Sequence, residues 1–397
     1  MDIQLSQRTL NIKPSATLAM NARAKQLEAS GGDIISLSLG EPDFETPAHI
    51  KEAAIEAIHE GFTRYTPVEG IPALKQAIVQ KFQTENQLSY TPPQILVSSG
   101  AKQSIYNLLQ ALLNPGDEVI IPAPYWTSYP DMVMLAEGEP VILNTQYEQS
   151  YKITPEALEH AITPRTKLFM FNSPSNPSGM VYNHDELRAL GEVLLRHPQV
   201  FILSDDIYEH ILWSHHRFEN LVNVCPPLYD RTLVVNGVSK TYAMTGWRIG
   251  YAAGPQKIIQ AMGTVQSQST SNPNSIAQKA AIAALSGNQA CIQTMVREFK
   301  TRHDFLYQGL KNIPGVRVLP SEGAFYSLPD VSQIIHEVKN YKDDVDFADD
   351  LLAKTGVATV PGTAFGQPGT FRISFATSMT LLDDALKRIR SFVAEIL

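Results

Sequence analysis

Lys240 lies in Val234-Val235-Asn236-Gly237-Val238-Ser239-Lys240-Thr241-Tyr242-Ala243-Met244-Thr245-Gly246-Trp247-Arg248-Ile249-Gly250. An apolar run that reads as a buried strand breaks at Gly237, and the lysine emerges on a loop between Ser239 and Thr241. A lysine amine can form a Schiff base with a carbonyl cofactor. Arg248 follows, between Gly246 and Gly250. A guanidinium fork can hold a phosphate through two hydrogen bonds. A lone Ser-Lys would be a surface lysine on a βα loop, so the weight rests on the whole string.

Five other strings carry polar groups at the ends of apolar runs. Ser98-Ser99-Gly100-Ala101-Lys102-Gln103 joins a strand to a helix. Small residues there let backbone approach an anion, and a helix N-terminus offers free N–H groups. Glycine at such turns is common, so the string alone is weak. Pro124-Tyr125-Trp126 places a flat ring after a strand. Trp126 could stack on a planar ligand or sit in the core. Asn172-Ser173-Pro174-Ser175-Asn176-Pro177-Ser178-Gly179 holds Asn176 between two prolines that restrict its backbone, although Asn-Pro by itself signals only a turn. In Leu203-Ser204-Asp205-Asp206-Ile207-Tyr208-Glu209, Asp205 follows a buried run and needs a partner. A helix N-cap is the plainer role for it. In Thr370-Phe371-Arg372-Ile373-Ser374-Phe375, Arg372 interrupts an apolar strand. It wants a bidentate carboxylate, from a ligand or from a structural ion pair.

The elements that must position these residues follow from periodicity. Apolar runs over 34–39, 95–98, 118–121, 140–143, 167–171, 200–203, 233–235 and 249–253 read as strands. Helical spacing appears over 101–113, 184–197 and 255–262, the first carrying Ile105, Leu108, Leu109 and Leu112 on one face. Strands alternating with helices imply an α/β fold, with a mostly parallel sheet covered by helices on both faces. From about residue 272 the pattern changes to a helix-rich stretch over 273–313, then short strands near 316–319, 325–328 and 371–375. That reads as a smaller α+β domain, with the N-terminal arm packed on it. Ligands of open α/β sheets bind beyond the carboxyl ends of the strands, where these strings fall.

Composition bounds the function. The chain of 397 residues has 44% hydrophobic and 18% charged residues, which argues against disorder. Its 32 basic and 40 acidic side chains give a net charge of −8, which disfavours a general nucleic-acid or anionic-membrane binder. Cys225 and Cys291 are far apart and no CxxC occurs, so neither a zinc site nor a disulfide framework is expected. His215-His216 is the one metal-like pair, and adjacent histidines point apart on a regular element. No metal is expected. The first residues are polar rather than a signal peptide, and no apolar run reaches a membrane span, so a cytoplasmic location is expected.

Together the strings resemble, in order and from about residue 10 to about residue 390, the fold-type I, class I pyridoxal-phosphate aminotransferases. The likeness is strongest to the bacterial aspartate (aspartate/prephenate) subgroup. Ser36-Leu37-Ser38-Leu39-Gly40-Glu41-Pro42-Asp43-Phe44 and Arg64-Tyr65-Thr66-Pro67-Val68-Glu69-Gly70, which alone read as turns, also match the family. The resemblance implies that Lys240 bonds pyridoxal phosphate, and that Gly100, Ala101, Lys102, Ser239 and Arg248 surround its phosphate. It implies Trp126 over the pyridine, Asp205 at the ring nitrogen, and Asn176 and Tyr208 at the phenolic oxygen. Asp206 stands where many relatives have Glu. Arg372 would take the substrate α-carboxylate and Gly40 would let backbone approach it. Lys102 would face a distal carboxylate, and Lys13 belongs to an arm that closes over the site. Tyr65 would reach the phosphate of the other subunit in a homodimer. The implied domains are an N-terminal arm and part of the small domain over 1–45, a large cofactor-binding domain over 46–285 and a small C-terminal domain over 286–397.

The implied reaction is transamination from aspartate or glutamate to a 2-oxo acid, with prephenate as a further substrate. Alanine, aromatic or kynurenine transamination and C–S lyase action stay open within the class. A noncatalytic regulatory relative is the rival from another class. With motifs that begin by residue 13, a preceding helix-turn-helix is not expected.

Overall fold

The computed structural model describes residues 3–214, 217–338 and 341–397, so His215 and His216 lie outside the described residues. Its strands are β1 Ile35–Ser36, β2 Ile95–Ser98, β3 Glu118–Pro122, β4 Glu139–Leu143, β5 Thr166–Asn172 and β6 Phe201–Asp205. They continue as β7 Thr232–Gly237, β8 Gly250–Ala253, β9 Tyr326–Ser327, β10 Val357–Ala358, β11 Val360–Pro361 and β12 Phe371–Ser374. Seven of them form one sheet in the order β2-β8-β7-β6-β5-β3-β4. The β4-β3-β5-β6-β7 run is parallel, and β8 lies antiparallel to both β7 and β2.

The expected strands of this sheet recur within one or two residues of their ends. At the centre of the sheet the apolar runs are buried on both faces: β7 is buried at every position and β6 at all but its first, whereas the edge strand β4 is only half-buried. One face packs Ile105, Leu108 and Leu109 of helix Ala101–Leu112 against Leu168, Leu203 and Leu233. The other packs Leu187, Leu190 and Leu194 of helix His184–Arg196 against Phe169, Phe171 and Ile202. Asn183 opens the latter helix in a capping box with Glu186, an arrangement whose cap residue is worth about 1 kcal/mol.

A second packing unit joins β9, β11 and β12 in an antiparallel sheet. Long helices Ala290–Lys311 and Met379–Ile396 bury Phe299, Leu306, Ile389 and Phe392 there. The expected strand over 34–39 contracts to β1, which pairs parallel with β10 outside the large sheet. Beyond it, Gly40 and Pro42 end the regular pairing, while the Leu37 carbonyl still accepts from the Ser374 N–H at 2.8 Å. No strand forms over 316–319. Pro314 and Pro320 flank that run, and only Arg317 bridges, to Asp330. Helix Ala16–Ala29 sets Met20 and Ala24 against Leu352 and Ala358. No helix of the described residues is long and apolar enough to cross a membrane.

Candidate active site

Three strand ends converge on one cavity. Asn172 ends β5, Asp205 ends β6, and Gly237 ends β7 just before Lys240. The cavity, about 340 Å³, is lined by Gly40, Ala101, Lys102, Trp126, Asn176, Asp205, Tyr208, Ser239, Lys240, Arg248 and Arg372, among others.

Its anionic-ligand side is built from close backbone approach. Gly100 caps helix Ala101–Leu112 at φ 87, and a Cβ there would overlap the Arg248 guanidinium. A Cβ on Gly250 would run into the Gly100–Ala101 backbone. Arg248, itself left-handed at φ 56, donates from Nη1 to the Thr245 carbonyl at 2.9 Å and from Nη2 to the Ser99 carbonyl at 3.4 Å. The guanidinium therefore stands at the N-terminus of the helix, where free N–H groups and the helix dipole already favour an anion.

Lys240 Nζ donates to the Gly40 carbonyl at 2.5 Å. Loss of bulk water lowers its pKa to about 8; Arg248 and Arg372 push the same way, against Glu41 and Asp205. Such an amine is still mostly charged at neutrality, yet its free-base fraction, about one-tenth at pH 7, far exceeds that of an ordinary lysine. Asp205 is buried and accepts from the Tyr129 hydroxyl at 2.7 Å and the Ile207 N–H at 3.3 Å. Burial raises its pKa to about 6 despite those donors and Lys240. The Asn172 side chain donates to the Asp205 carbonyl at 2.8 Å and accepts the Asn176 N–H at 2.9 Å, which locks the proline turn to β6. Asp206 faces away, bonded by Ser204 and Asn220.

Arg372 is only 2% exposed and has no carboxylate partner among the described residues. Its Nη1 donates to Asn176 Oδ1 at 2.9 Å and its Nη2 to the Ser38 carbonyl at 2.5 Å, while Nε is buried without a partner. The rings of Tyr326 and Phe365 face the guanidinium at 4.5 and 4.9 Å. Among the described residues no structural ion pair forms, and the guanidinium keeps a donor with which it could meet a carboxylate. Tyr208 and Tyr326 share a hydroxyl hydrogen bond at 2.8 Å, and the Tyr326 hydroxyl fills the space a Cβ on Gly40 would need. At the rim, exposed Lys102 sets its ammonium 4.7 Å from the Trp126 ring, and burial of its stem, then Arg248, lower its pKa.

Two expected residues stand apart. Lys13 lines an adjoining cavity of about 830 Å³ that also touches Lys102 and Arg248. Tyr65 is 93% exposed and lines neither cavity. Sequence reasoning missed Tyr129, Tyr326, Glu41 and Thr245, whose hydroxyl bonds Glu41. Tyr129 follows Trp126 by one helical turn, which was a usable signal; Tyr326 looked like any strand aromatic.

The sequence pattern of the family described as aminotransferase class I and II matches residues 32–389. This chain belongs to that family. The aminotransferase is 56% identical over 397 residues to the aspartate/prephenate aminotransferase of Nitrosomonas europaea, covering 99% of this chain and 100% of the relative. It is 48% identical over 391 residues to the aspartate aminotransferase of Geobacillus stearothermophilus, covering 98% and 99%. Among solved structures, the aspartate aminotransferase of Rhizobium meliloti superposes with a TM-score of 0.96 at 48% identity over 100% of both chains. That of Thermus thermophilus with maleate gives 0.93 at 44% identity, over 98% of this chain and 100% of that one. The enzyme is dependent on pyridoxal phosphate, as its family is. Its donor set fits that group: a half-buried amine, a buried carboxylate, and a guanidinium over a helix N-terminus cleared by Gly100.

Proposed function

We propose that this aminotransferase moves the amino group of aspartate or glutamate to a 2-oxo acid such as 2-oxoglutarate, and that prephenate is a further substrate. One observation carries the reading: a single cavity presents a buried, partly unpartnered Arg372 and, at its rim, a second cation, Lys102. Two cations suit a substrate with two carboxylates, since charge-assisted bonds are the strong ones. The names of the relatives point the same way.

Gly100, Ala101, Lys102, Ser239 and Arg248 would hold the cofactor phosphate, and Trp126 would cover its ring. Asp205 would keep the ring nitrogen protonated, with Asn176 and Tyr208 at the phenolic oxygen. When bound, the cofactor supplies an electron sink for the carbanion at the substrate α-carbon. Arg372 orients the α-carboxylate. Lys240 Nζ takes the α-proton of the amino donor and, in the second half-reaction, returns one to the α-carbon of the product. Donor and acceptor use the cavity in turn, so the kinetics are ping-pong.

The reading includes a homodimer in which Tyr65 of the partner subunit completes the phosphate site. Its exposure in one protomer supports that reading. Residues 46–285 would form the large domain and 286–397 the small one, with 1–45 as the arm and part of the small domain, in a cytoplasmic enzyme. A panel of amino donors against 2-oxoglutarate and oxaloacetate tests it. Aspartate and glutamate should give the highest kcat/KM. Preference for alanine, aromatic or kynurenine donors, or elimination at a C–S bond, would overturn the substrate assignment.

A further inference from the structure

Behind the cavity wall lies a buried polar cluster that the reaction above does not use. Glu209, 5% exposed, comes four residues after Asp205 and directly after Tyr208. Its carboxylate accepts from the Lys81 ammonium, from Asn86 Nδ2 at 2.7 Å and from Asn236 Nδ2 at 2.7 Å. Asn236 lies near the end of β7, and its Oδ1 accepts the Gly237 N–H at 2.7 Å. His210 repeats the connection: Nδ1 lies 3.2 Å from Thr241 Oγ1 and Nε2 2.9 Å from Glu85 Oε2. Two consecutive side chains therefore join the Asp205–Tyr208 turn to both ends of the segment that carries Lys240.

The chain departs from regular geometry to build this cluster. Helix Pro72–Lys81 runs into a π-helical turn, Phe82–Asn86, closed by Gln87 at φ 58. In an α-helix, residues five apart point about 140° away from each other. The wider i→i+5 turn brings them together, and Lys81 Nζ donates to Asn86 Oδ1 at 2.7 Å. Glu85, Glu209 and His210 have the spacing of metal ligands, but the Lys81 ammonium already occupies the cation position between the two carboxylates. Nor does a buried ion pair explain itself as a stabilising device, because an apolar pair of the same volume often does as well.

We infer that Glu209 is a positioning residue for the transamination: its bond to Asn236 holds the Asp205–Tyr208 turn in register with the Lys240 loop. The inference rests on the proposed reading of that site. Asp205, Tyr208 and Lys240 must meet one planar cofactor from two adjacent strands. A carboxylate with three donors fixes both strand ends at once.

Two double variants separate the connection from the charge. Lys81→Met with Glu209→Ala leaves no unpaired buried charge and cuts the link to Asn236. Lys81→Met with Glu209→Gln also removes both charges, yet the new amide oxygen can accept from Asn236 and its NH2 can donate to the freed Asn86 Oδ1. With pyridoxal phosphate loaded, the first should lower kcat roughly tenfold, the size of one lost hydrogen bond to a charged group. It should also move the pH midpoint of the visible absorption. The second should stay near the native value in both. Should the alanine pair fail to fold, Asn236→Ala cuts the same link with the Lys81–Glu209 pair intact, and the same shifts are expected. Native midpoint and kcat in the folded alanine variant, or equal losses in both double variants, would overturn the inference. A native protein that shows no visible band with the cofactor would instead overturn the reading it rests on.

Discussion

Tyr129 donates its hydroxyl hydrogen to Asp205 Oδ2 at 2.7 Å, both side chains buried, one at the first turn of a helix and the other at the end of β6. The bond opposes the upward push of burial on the Asp205 carboxyl. A hydrogen bond to a charged group is worth about 1.5–3 kcal/mol. Tyr129→Phe should therefore raise the Asp205 pKa further and lower kcat/KM about tenfold or more. Steady-state kinetics with aspartate check this, and a loss within twofold would show that the Ile207 N–H alone suffices.

Asp205 should also cost the cofactor-free protein stability. Its folded pKa, about 6, lies above the ordinary carboxylate value of about 3.9. The folded state therefore holds the proton more tightly, and the penalty grows as pH rises from about 4 to about 6, then stays. Asp205→Asn should stabilise the cofactor-free protein by about 1–3 kcal/mol at pH 7, with the gain vanishing near pH 4, while turnover is lost. Urea unfolding at the two pH values reads the difference, and an equal effect at both would contradict the assignment.

Lys240 predicts a pH profile of its own. Its amine is charged below about 8 and free above it. Growth of the visible band on adding pyridoxal phosphate should quicken about tenfold per pH unit up to that point and then level off, whereas an ordinary lysine would continue to about 10.4. Borohydride reduction and peptide mapping should label Lys240, and Lys240→Ala should abolish turnover while still binding the phosphate. Label on another lysine would refute the role.

Tyr65 and Lys240 should act from different subunits. Tyr65→Phe and Lys240→Ala protomers have complementary defects, so mixed dimers should contain one site with both native residues. Confirmed heterodimers no more active than their separate components would show that Tyr65 acts elsewhere.

What could be read from the chain and what could not divide along a physical line. Strands buried on both faces leave uninterrupted apolar runs, so β2, β3 and the strands from β5 to β8 were legible to within about two residues, and the half-buried edge strand β4 was legible from its Val141-Ile142-Leu143 run. Asp205, Lys240 and Arg372 stood out because a charge at the end of, or inside, such a run needs an explanation. Tyr326 did not, since its site role depends on Gly40 and Tyr208, more than a hundred residues away on either count. Lys81 reads as a solvated helix lysine until a π-turn, which carries no composition signal, folds Asn86 back beside it. Short strands such as β9 and β11 are set by their partners rather than by periodicity.

Substrate choice rests on two cations that should behave differently. Arg372 has a buried, unpartnered Nε and sits against Asn176, so it should hold the α-carboxylate that every amino donor carries. Arg372→Ala should weaken all donors. Lys102 is exposed at the rim over Trp126 and should meet only a distal carboxylate. Losing one charge-assisted bond costs about 1.5–3 kcal/mol, or about one to two decades in kcat/KM. Lys102→Ala should impose that loss on aspartate and glutamate while leaving uncharged amino acids within a fewfold of native. Phosphate binding is the competing role for this side chain, because Lys102 also lies beside Arg248. Its signature would be distinct: equal losses for both donor classes, with weaker cofactor retention on dialysis. That outcome would move Lys102 to the cofactor and remove the main structural support for a dicarboxylate substrate.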